Sequence, residues 1–546
     1  MLEKLNGVLK SISWTFLHFK VNSYALLSTT ALILAICGQC TYIFANDNTK
    51  DLIKTSSNVV HYEDFGAIGD GKTDDQEAIV KAHAFANQSR RPVRANDQAT
   101  YYIGGQDLSA IVETDTDFGT ACIIIDDTKV QNINRDIFEI RSTHAPIKVK
   151  PPASLKRNQS KIPITLPGRC VVSITNSQVN HFIRKGVNQS SGTQQTDICL
   201  VNADGQVSSD TPIQWDFDHI TDLIAYPVDE TPLTLKGGRF TTLANNAESK
   251  YTYYQRGIAV SRSTVVVDGL EHRITGEGKH GAPYKGFLSI NNCSDVRVRN
   301  VLFTAHKTYV TKNSANKPVS MGSYDFNAFS SLNVTLENCR QSNDITNRRY
   351  WGLMGSNFCK NLRLEGCHFS RFDAHKGVYN ASIRNSTMGY MGINAIGKGT
   401  LLIENTTVLA NNFIWLRADY GSTWEGDIII RNCVFEPPKG SQVILLNGYN
   451  EGNHNFGYSC FMPEKITIDT LRINDANPPE NYAGPILFAD FNPRLKNSSF
   501  KQDYPYTITR EVIRNVITTA SGKPLIISRN PFMFNNVIIR ELQRSP

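Results

Sequence analysis

Residues 381–433 read ASIRNSTMGYMGINAIGKGTLLIENTTVLANNFIWLRADYGSTWEGDIIIRNC, and one five-residue pattern recurs in them: ASIRN ending at Asn385, LLIEN at Asn405 and IIIRN at Asn432. Upstream the same pattern appears as VRVRN at Asn300, VTLEN at Asn338 and LRLEG at Gly366. Apolar and other residues alternate, which describes a strand with one buried face. Asn or Gly closes each segment, and both tolerate the positive φ of a sharp turn. The next residue is small or β-branched: Val301, Cys339, Cys367, Ser386, Thr406 or Cys433. It points back into a core. The turn residues are spaced by 38, 28, 19, 20 and 27 positions. The two shortest intervals fit one coil of three short strands, and the longer ones fit a coil carrying an inserted loop. Stacked coils bury one continuous core. The pattern therefore predicts an all-β solenoid with a ladder of turn asparagines. It also predicts a column, Arg299, Glu337, Glu365, Arg384, Glu404 and Arg431, in which neighbours of opposite charge meet.

Working outward, residues 64–75 read DFGAIGDGKTDD. Val59–Tyr62 reads as a strand and Gly69-Asp70-Gly71 as a turn. Thr73 and Asp74, followed by Gln76 and Glu77, read as a reciprocal helix cap. Ala78, Ile79, Ala82 and Phe85 then recur at helical spacing. A short amphipathic helix here covers the open end of a β solenoid, whose first coil otherwise exposes strand edges and core. This opening resembles that of the pectate-lyase-like superfamily of right-handed parallel β-helix proteins, which includes polysaccharide lyases, polygalacturonase-type hydrolases and phage tailspikes. The resemblance implies a right-handed parallel β-helix and a carbohydrate substrate, without saying which one. The polygalacturonase pattern of an Asn-Thr-Asp, an Asp-Asp pair, a Gly-His-Gly and an Arg-Ile-Lys does not occur in order. Clustered aspartates on adjacent coils, as in calcium-dependent lyases, are not evident either. No metal ligand set is assigned, and a divalent cation such as calcium is left open.

The chain has 546 residues, with 40% hydrophobic and 20% charged residues, the balance of a folded protein. A formal charge of +7 is too diffuse to indicate nucleic acid and is compatible with an acidic polymer. The first 23 residues carry Lys4, Lys10 and Lys20, and Tyr24 to Ala45 is almost uncharged and mostly apolar. This is the layout of an export signal, and the run is long enough to span a bilayer if it is retained. Residues 1–50 are therefore assigned as a signal peptide or membrane anchor, and the membrane enters only through them. The product is expected to be periplasmic, secreted or membrane-anchored. Residues 56–475 are assigned to the β-helix, with irregular early coils and insertions between 90 and 250. Residues 476–546 are assigned to late coils or a capping tail. Nine of the 11 cysteines lie beyond the signal segment at wide spacing, which is not a disulfide framework. Cys339, Cys367 and Cys433 share one repeat position, as small buried residues.

The densest cluster of ionisable residues is Arg348 to Gly377, RRYWGLMGSNFCKNLRLEGCHFSRFDAHKG. Counting from each turn residue brings Asp373, His375, Tyr390, Asn394 and Asn412 near one another, with Trp415 and Arg417 beyond them. This suits β-elimination on a uronate polymer. Arg371, Arg349 or Arg417 would neutralise the sugar carboxylate. His375 would take the C5 proton, oriented by Asp373. Tyr390, Tyr350 or Lys376 would protonate the leaving oxygen, and Trp415 would stack on a sugar. Arg349, Lys376, Asn394, Asn412, Trp415 and Arg417 form the expected binding surface. A hydrolase would instead need two facing carboxylates, with Asp344 and Asp373 the best pair and Asp419 and Glu425 next. A non-catalytic binding solenoid needs only the aromatic and basic face. The bland alternatives are a structural Asp373–His375 pair, a solvated Arg348–Arg349 loop and a buried Trp415.

Overall fold

The computed structural model describes residues 58–496, 509–534 and 537–541, so the signal peptide or membrane anchor expected at 1–50 lies outside the described residues. From Asp70–Asp74 to Ile538–Glu541 the strands pair in parallel, coil upon coil, in one 28-stranded system. This is the right-handed parallel β-helix that the repeat and the opening motif predict. One coil shows the layout. Thr387 and Met388 lie in the first strand, Ile393 to Ala395 in the second and Leu401 to Glu404 in the third, each hydrogen-bonded to the coils on either side. The inward residues of the third strand stack as an aliphatic column: Val298, Leu336, Leu364, Ile383, Ile403, Ile430 and Ile468, all buried.

The turn column forms as the repeat predicts. Asn300, Asn338, Gly366, Asn385, Asn405 and Asn432 all have positive φ, between 49° and 64°. The Asn432 side-chain amide donates to Asn405 at 2.7 Å, and that of Asn405 donates to Asn385 at 3.0 Å. The ladder breaks at Gly366, where a Cβ would stand 2.5 Å from the Asn338 side-chain oxygen. Asn385 donates to Glu365 instead. The charged column pairs as Arg384–Glu404–Arg431. A second ladder, absent from the sequence reading, runs along the preceding turn. Asn333 donates to Asp295, Asn361 to Asn333 and Asn380 to Asn361. Cys293, Cys339, Cys359, Cys367 and Cys433 are buried free thiols. Burial pushes Cys293 and Cys359 up to about 12 and Cys433 to about 11.

The helix spans Gln76–Ser89 and buries Ala78, Ile79, Ala82 and Ala86 against the main core, with Phe85 partly buried. Its start differs from the predicted capping box. The Asp74 carboxylate accepts the Gln76 and Gly104 N–H groups, while Asp75 accepts those of Ile68 and Gly69. Thr73 bonds Asp70. The two aspartates thus tie helix, opening loop and second coil together. Val60 makes only an isolated bridge to Val93, and Tyr62–Phe65 is a 3-10 turn, not a strand.

The 90–250 region holds more than irregular coils. Between Phe138–Arg141 and Leu233–Leu243 the chain leaves the solenoid for an antiparallel four-stranded sheet: Ile147–Lys148, Cys170–His181, Thr193–Val201 and Asp222–Pro227. It has its own core around Leu155, Phe217 and Val172. After residue 476, Ile486–Phe488, Glu511–Arg514, Ile517–Thr519 and Ile538–Glu541 continue the parallel pairing. No helix among the described residues is long and apolar enough to cross a membrane.

The turn column yields a stability test. Asn405→Ala places a Cβ residue at φ 49°, costing about 1–2 kcal/mol, and removes two side-chain hydrogen bonds of about 0.5–1 kcal/mol each. Asn405→Gly loses only the hydrogen bonds. In urea unfolding the alanine variant is expected to be the less stable of the two, and the reverse order would contradict the turn-strain argument.

Candidate functional site

The central feature is a bulge in the strand His368–Arg384. Ser356 pairs with Ala374 and Asn357 with Lys376, leaving His375 as an extra residue. On the other side Ala374 pairs with Ala395 and Val378 with Gly397, so three residues face one. A bulge re-aims side chains and concentrates next to binding sites. Here it breaks the in–out alternation so that His375 and Lys376 follow one another, both half-buried. Gly377, at φ 81°, permits the kink, and a Cβ there would meet the Phe182 ring at 3.1 Å.

Behind the bulge lies a sealed ion network. Asp373 is wholly buried and meets Arg371 at 2.9 Å and Arg417 at 3.0 Å. Arg417 grips Asp419 at 2.8 Å, and Arg184 of the inserted sheet reaches the same carboxylate at 2.8 Å. Asp373 and Asp419 hold Arg417 charged, above its ordinary value, against the opposing effect of burial. The Arg371 guanidinium stacks on Trp351, 5.5 Å from the ring centre, and is itself buried. Asp373 thus pairs with arginines and not with His375. Burial, then the charges of Arg417, Arg184, Arg371 and Lys376, push His375 well below the usual histidine range. Its Nε2 lies 3.2 Å from the Tyr420 hydroxyl, which burial raises to about 12. Burial and Arg184 lower Lys376 as well, and no described carboxylate pairs with it.

Register decides which of the predicted residues meet. Asp373 pairs with Asn394, Asn394 with Trp415, and Trp415 with Asn447. Asn412 pairs with Ile444 and stands outside this column. Counting from the turn residue misplaced it because a further bulge, between Phe369 and Arg371, shifts the register before Asp373 is reached. Asn394 is buried and donates to the Met391 carbonyl at 2.6 Å, whereas Trp415 is exposed and not core. The Tyr390 hydroxyl donates to the Tyr350 carbonyl, and Tyr390 lines a separate cleft with Arg348, Glu436 and Lys439. Arg349 is an exposed loop residue. Of the hydrolase candidates, Asp344 caps Thr346 in an exposed turn and Asp373 is sealed. Glu425 pairs with Arg157 and Lys398.

Several site residues escaped the sequence. The Tyr324 hydroxyl, raised by burial and by Asp373, lies in the field of Arg371 and Arg417. Its ring would meet a Cβ on Gly355 at 3.0 Å. Tyr253 interacts with both Tyr324 and Arg184. Arg184 belongs to a turn that joins Cys170–His181 to Thr193–Val201 and crosses the outer face of the solenoid. Phe182 packs on Tyr420 and Phe358, and Lys185 meets Glu451 at 2.8 Å. At the far side Asn313 donates to the Val187 carbonyl at 2.9 Å, and Asn188 to the Tyr251 hydroxyl at 3.4 Å. Under this strap His375, Lys376, Tyr253, Tyr324, Trp351 and Asn357 are all half-buried. This group of side chains is thus cationic and aromatic, around an imidazole that burial and the neighbouring cations keep neutral. Among the described residues no three or more His, Cys, Asp or Glu side chains converge on a metal position.

No family profile matches the chain, and no curated protein matches it in sequence. Solved structures match along most of its length at low identity. The Pseudomonas phage phi297 tailspike gp61 is 11% identical with a TM-score of 0.49, covering 86% of this chain and 84% of the tailspike. The Pseudomonas phage LKA1 tailspike gp49 is 14% identical at TM-score 0.48, with 88% and 84% covered. The Gp54 tailspike of Acinetobacter baumannii bacteriophage AP22, solved with a capsular saccharide, is 10% identical at TM-score 0.46, with 89% and 80% covered.

Proposed function

We propose that this chain is an exported polysaccharide lyase that cleaves an acidic, uronate-containing polymer by β-elimination at the His375 bulge beside the strap. The observation that carries this reading is the bulge, which sets a neutral histidine beside a cation that has no carboxylate partner. Elimination needs a base for the C5 proton, positive charge for the sugar carboxylate and an acid for the leaving oxygen. His375 is the base. Kept neutral by burial and by the surrounding arginines, it takes the proton through Nδ1 in the tautomer whose Nε2–H is held by the Tyr420 hydroxyl, 3.2 Å away. Lys376 and Arg184 receive the carboxylate, stabilising the charge that develops as C5 is deprotonated. The electron pair moves into the C4–C5 bond, the C4–O bond breaks, and Tyr324, whose raised pKa keeps its proton in place, protonates the departing oxygen. Arg371, Arg417 and Asp373 act as the buried frame of the site, not as groups that touch sugar.

Polygalacturonate, alginate and hyaluronan, assayed for both unsaturated product and reducing ends, test the reading. The two signals are expected to appear together on at least one polymer. Reducing ends without unsaturation would show hydrolysis, and neither signal would leave a binding protein.

His375→Ala is expected to fold and to lose about 10²–10⁴-fold in rate; a folded variant with nearly full turnover would remove His375 from the mechanism. Because His375 lies well below the usual range, it stays neutral as pH falls through about 6.5. The kcat profile should therefore remain flat there and fall only at lower pH, and an acid limb centred near 6.5 would contradict the buried base. Arg371→Ala breaks a buried pair and should cost about 3 kcal/mol of stability, read by denaturant unfolding. A fully stable variant with raised KM would return Arg371 to the binding surface.

A further inference from the structure

Where the inserted sheet meets the solenoid, the chain leaves a cavity of about 60 Å³, partly open to solvent. Phe358, Val378 and Ile396 wall it from the solenoid, Phe182 and Trp215 from the insertion, and Tyr458 from the loop before Lys465–Ile473. The strand His368–Arg384 brings Lys376 and Gly377 of the bulge to the same cavity, one residue on from His375. Phe182 and Ile396 also pack with Tyr420, whose hydroxyl meets His375. The cavity wall and the imidazole are thus joined through one tyrosine.

The charged groups at the cavity are taken up, with one exception. Lys360 pairs with Asp197 at 2.8 Å and Lys398 with Glu425 at 3.2 Å. The Lys398 ammonium also lies 3.9 Å from the centre of the Trp215 ring, and Glu425 also meets Arg157 at 2.6 Å. Lys376 is the lining cation that no described carboxylate pairs with. An occupant that matches this lining has two parts. One is small and apolar, enclosed by aromatic and aliphatic side chains. The other is a negative charge beside it, within reach of Lys376.

Size narrows the apolar part. About 60 Å³ is room for about four or five waters, which an acetyl group fills and a whole sugar ring does not. A hydroxylated ring would also bury polar groups among apolar walls, where each unpaired one is costly. The uronate itself therefore stays at the bulge, and what fits the cavity is a short acyl group carried on it or on the adjoining sugar.

Resting on the reading of the site as a polysaccharide lyase, we infer that this cavity is a specificity site for acyl groups and that the preferred substrate is an acylated acidic polysaccharide. The acyl methyl fills the apolar space while Lys376 holds the sugar carboxylate. A polymer without the group leaves water against apolar walls and forgoes the gain of burying them.

The test compares kcat/KM, read as unsaturated product, on paired forms of one polymer. Polygalacturonate and alginate are assayed with and without chemical O-acetylation. Hyaluronan is assayed against its N-formyl counterpart, which keeps the amide and lacks the methyl. The form with the acetyl group is expected to be preferred about tenfold or more, the worth of a small apolar group in a fitted pocket. Thr196 is half-buried on the insertion's side of the cavity, and Thr196→Phe, which fills the space, should bring the ratio to about one. Val378→Phe fills it from the solenoid's side, should the first variant fail to fold. Equal kcat/KM on paired forms, or a preference that survives filling in a folded variant, overturns the acyl site and leaves the lyase reading standing. Inhibition by free butyrate without any preference among the polymers would mark a site for free short-chain acids and overturns it equally. Absence of unsaturated product from every polymer in both forms overturns the lyase reading, and the acyl site with it.

Discussion

The structure depends on a single-residue left-handed turn repeated along the axis. Each coil must reverse direction in one step between its third strand and the next coil's first strand, and only Asn or Gly makes that step cheaply. With the turn fixed, every inward residue of the third strand falls above its counterpart, and the column from Val298 to Ile468 closes into a continuous core. Side-chain amides that donate from one turn to the next convert this local preference into a register shared by distant coils. Where the ladder loses a rung at Gly366, the neighbouring Asn338 amide fills the space a Cβ would take.

A rigid frame of this kind makes a local irregularity useful. The bulge at His375 leaves the third-strand pairing of the same coils in register, from Leu362–Ala381 to Glu365–Arg384. The cost of the irregularity is confined to the outer face, where Arg371, Asp373, Arg417, Asp419 and Arg184 lock the geometry. An array of five charges, three of them buried and Arg184 and Asp419 partly exposed, is a poor source of net stability, but it holds positions firmly. Burial first, and then the arginines of this array, keep His375 unprotonated. The inserted sheet contributes one of the five, so solenoid and insertion build the site jointly.

What was legible in the sequence follows from this division. The third strands and their turns repeat a five-residue pattern with little variation, so fold and inward column could be read directly. The second ladder, Asp295–Asn333–Asn361–Asn380, escaped because the residues between its rungs and the preceding strands vary in number and carry the bulges. A bulge between Phe369 and Arg371 displaced Asn412 from the column in which Trp415 stands. Asp373 and His375, two residues apart, read as a natural pair. The arginine that in fact closes on Asp373 from two coils on, Arg417, lies 44 residues away. Arg184 was out of reach, since nothing in an antiparallel insertion announces which coil it will cover.

The cysteines bear on where such a chain can fold. The nine thiols of the described residues are unpaired, and eight of them are buried. Where burial raises their pKa, as at Cys199, Cys293 and Cys359, the reactive thiolate is scarce. Once the coils have closed, neither an oxidant nor a thiol reductant finds a partner in these eight, and only Cys122 stays partly exposed. Only while the coils are still open, during passage from synthesis to the finished solenoid, are the thiols available for wrong pairings. The closing of the coils, and not disulfide formation, is then what withdraws these thiols from chemistry.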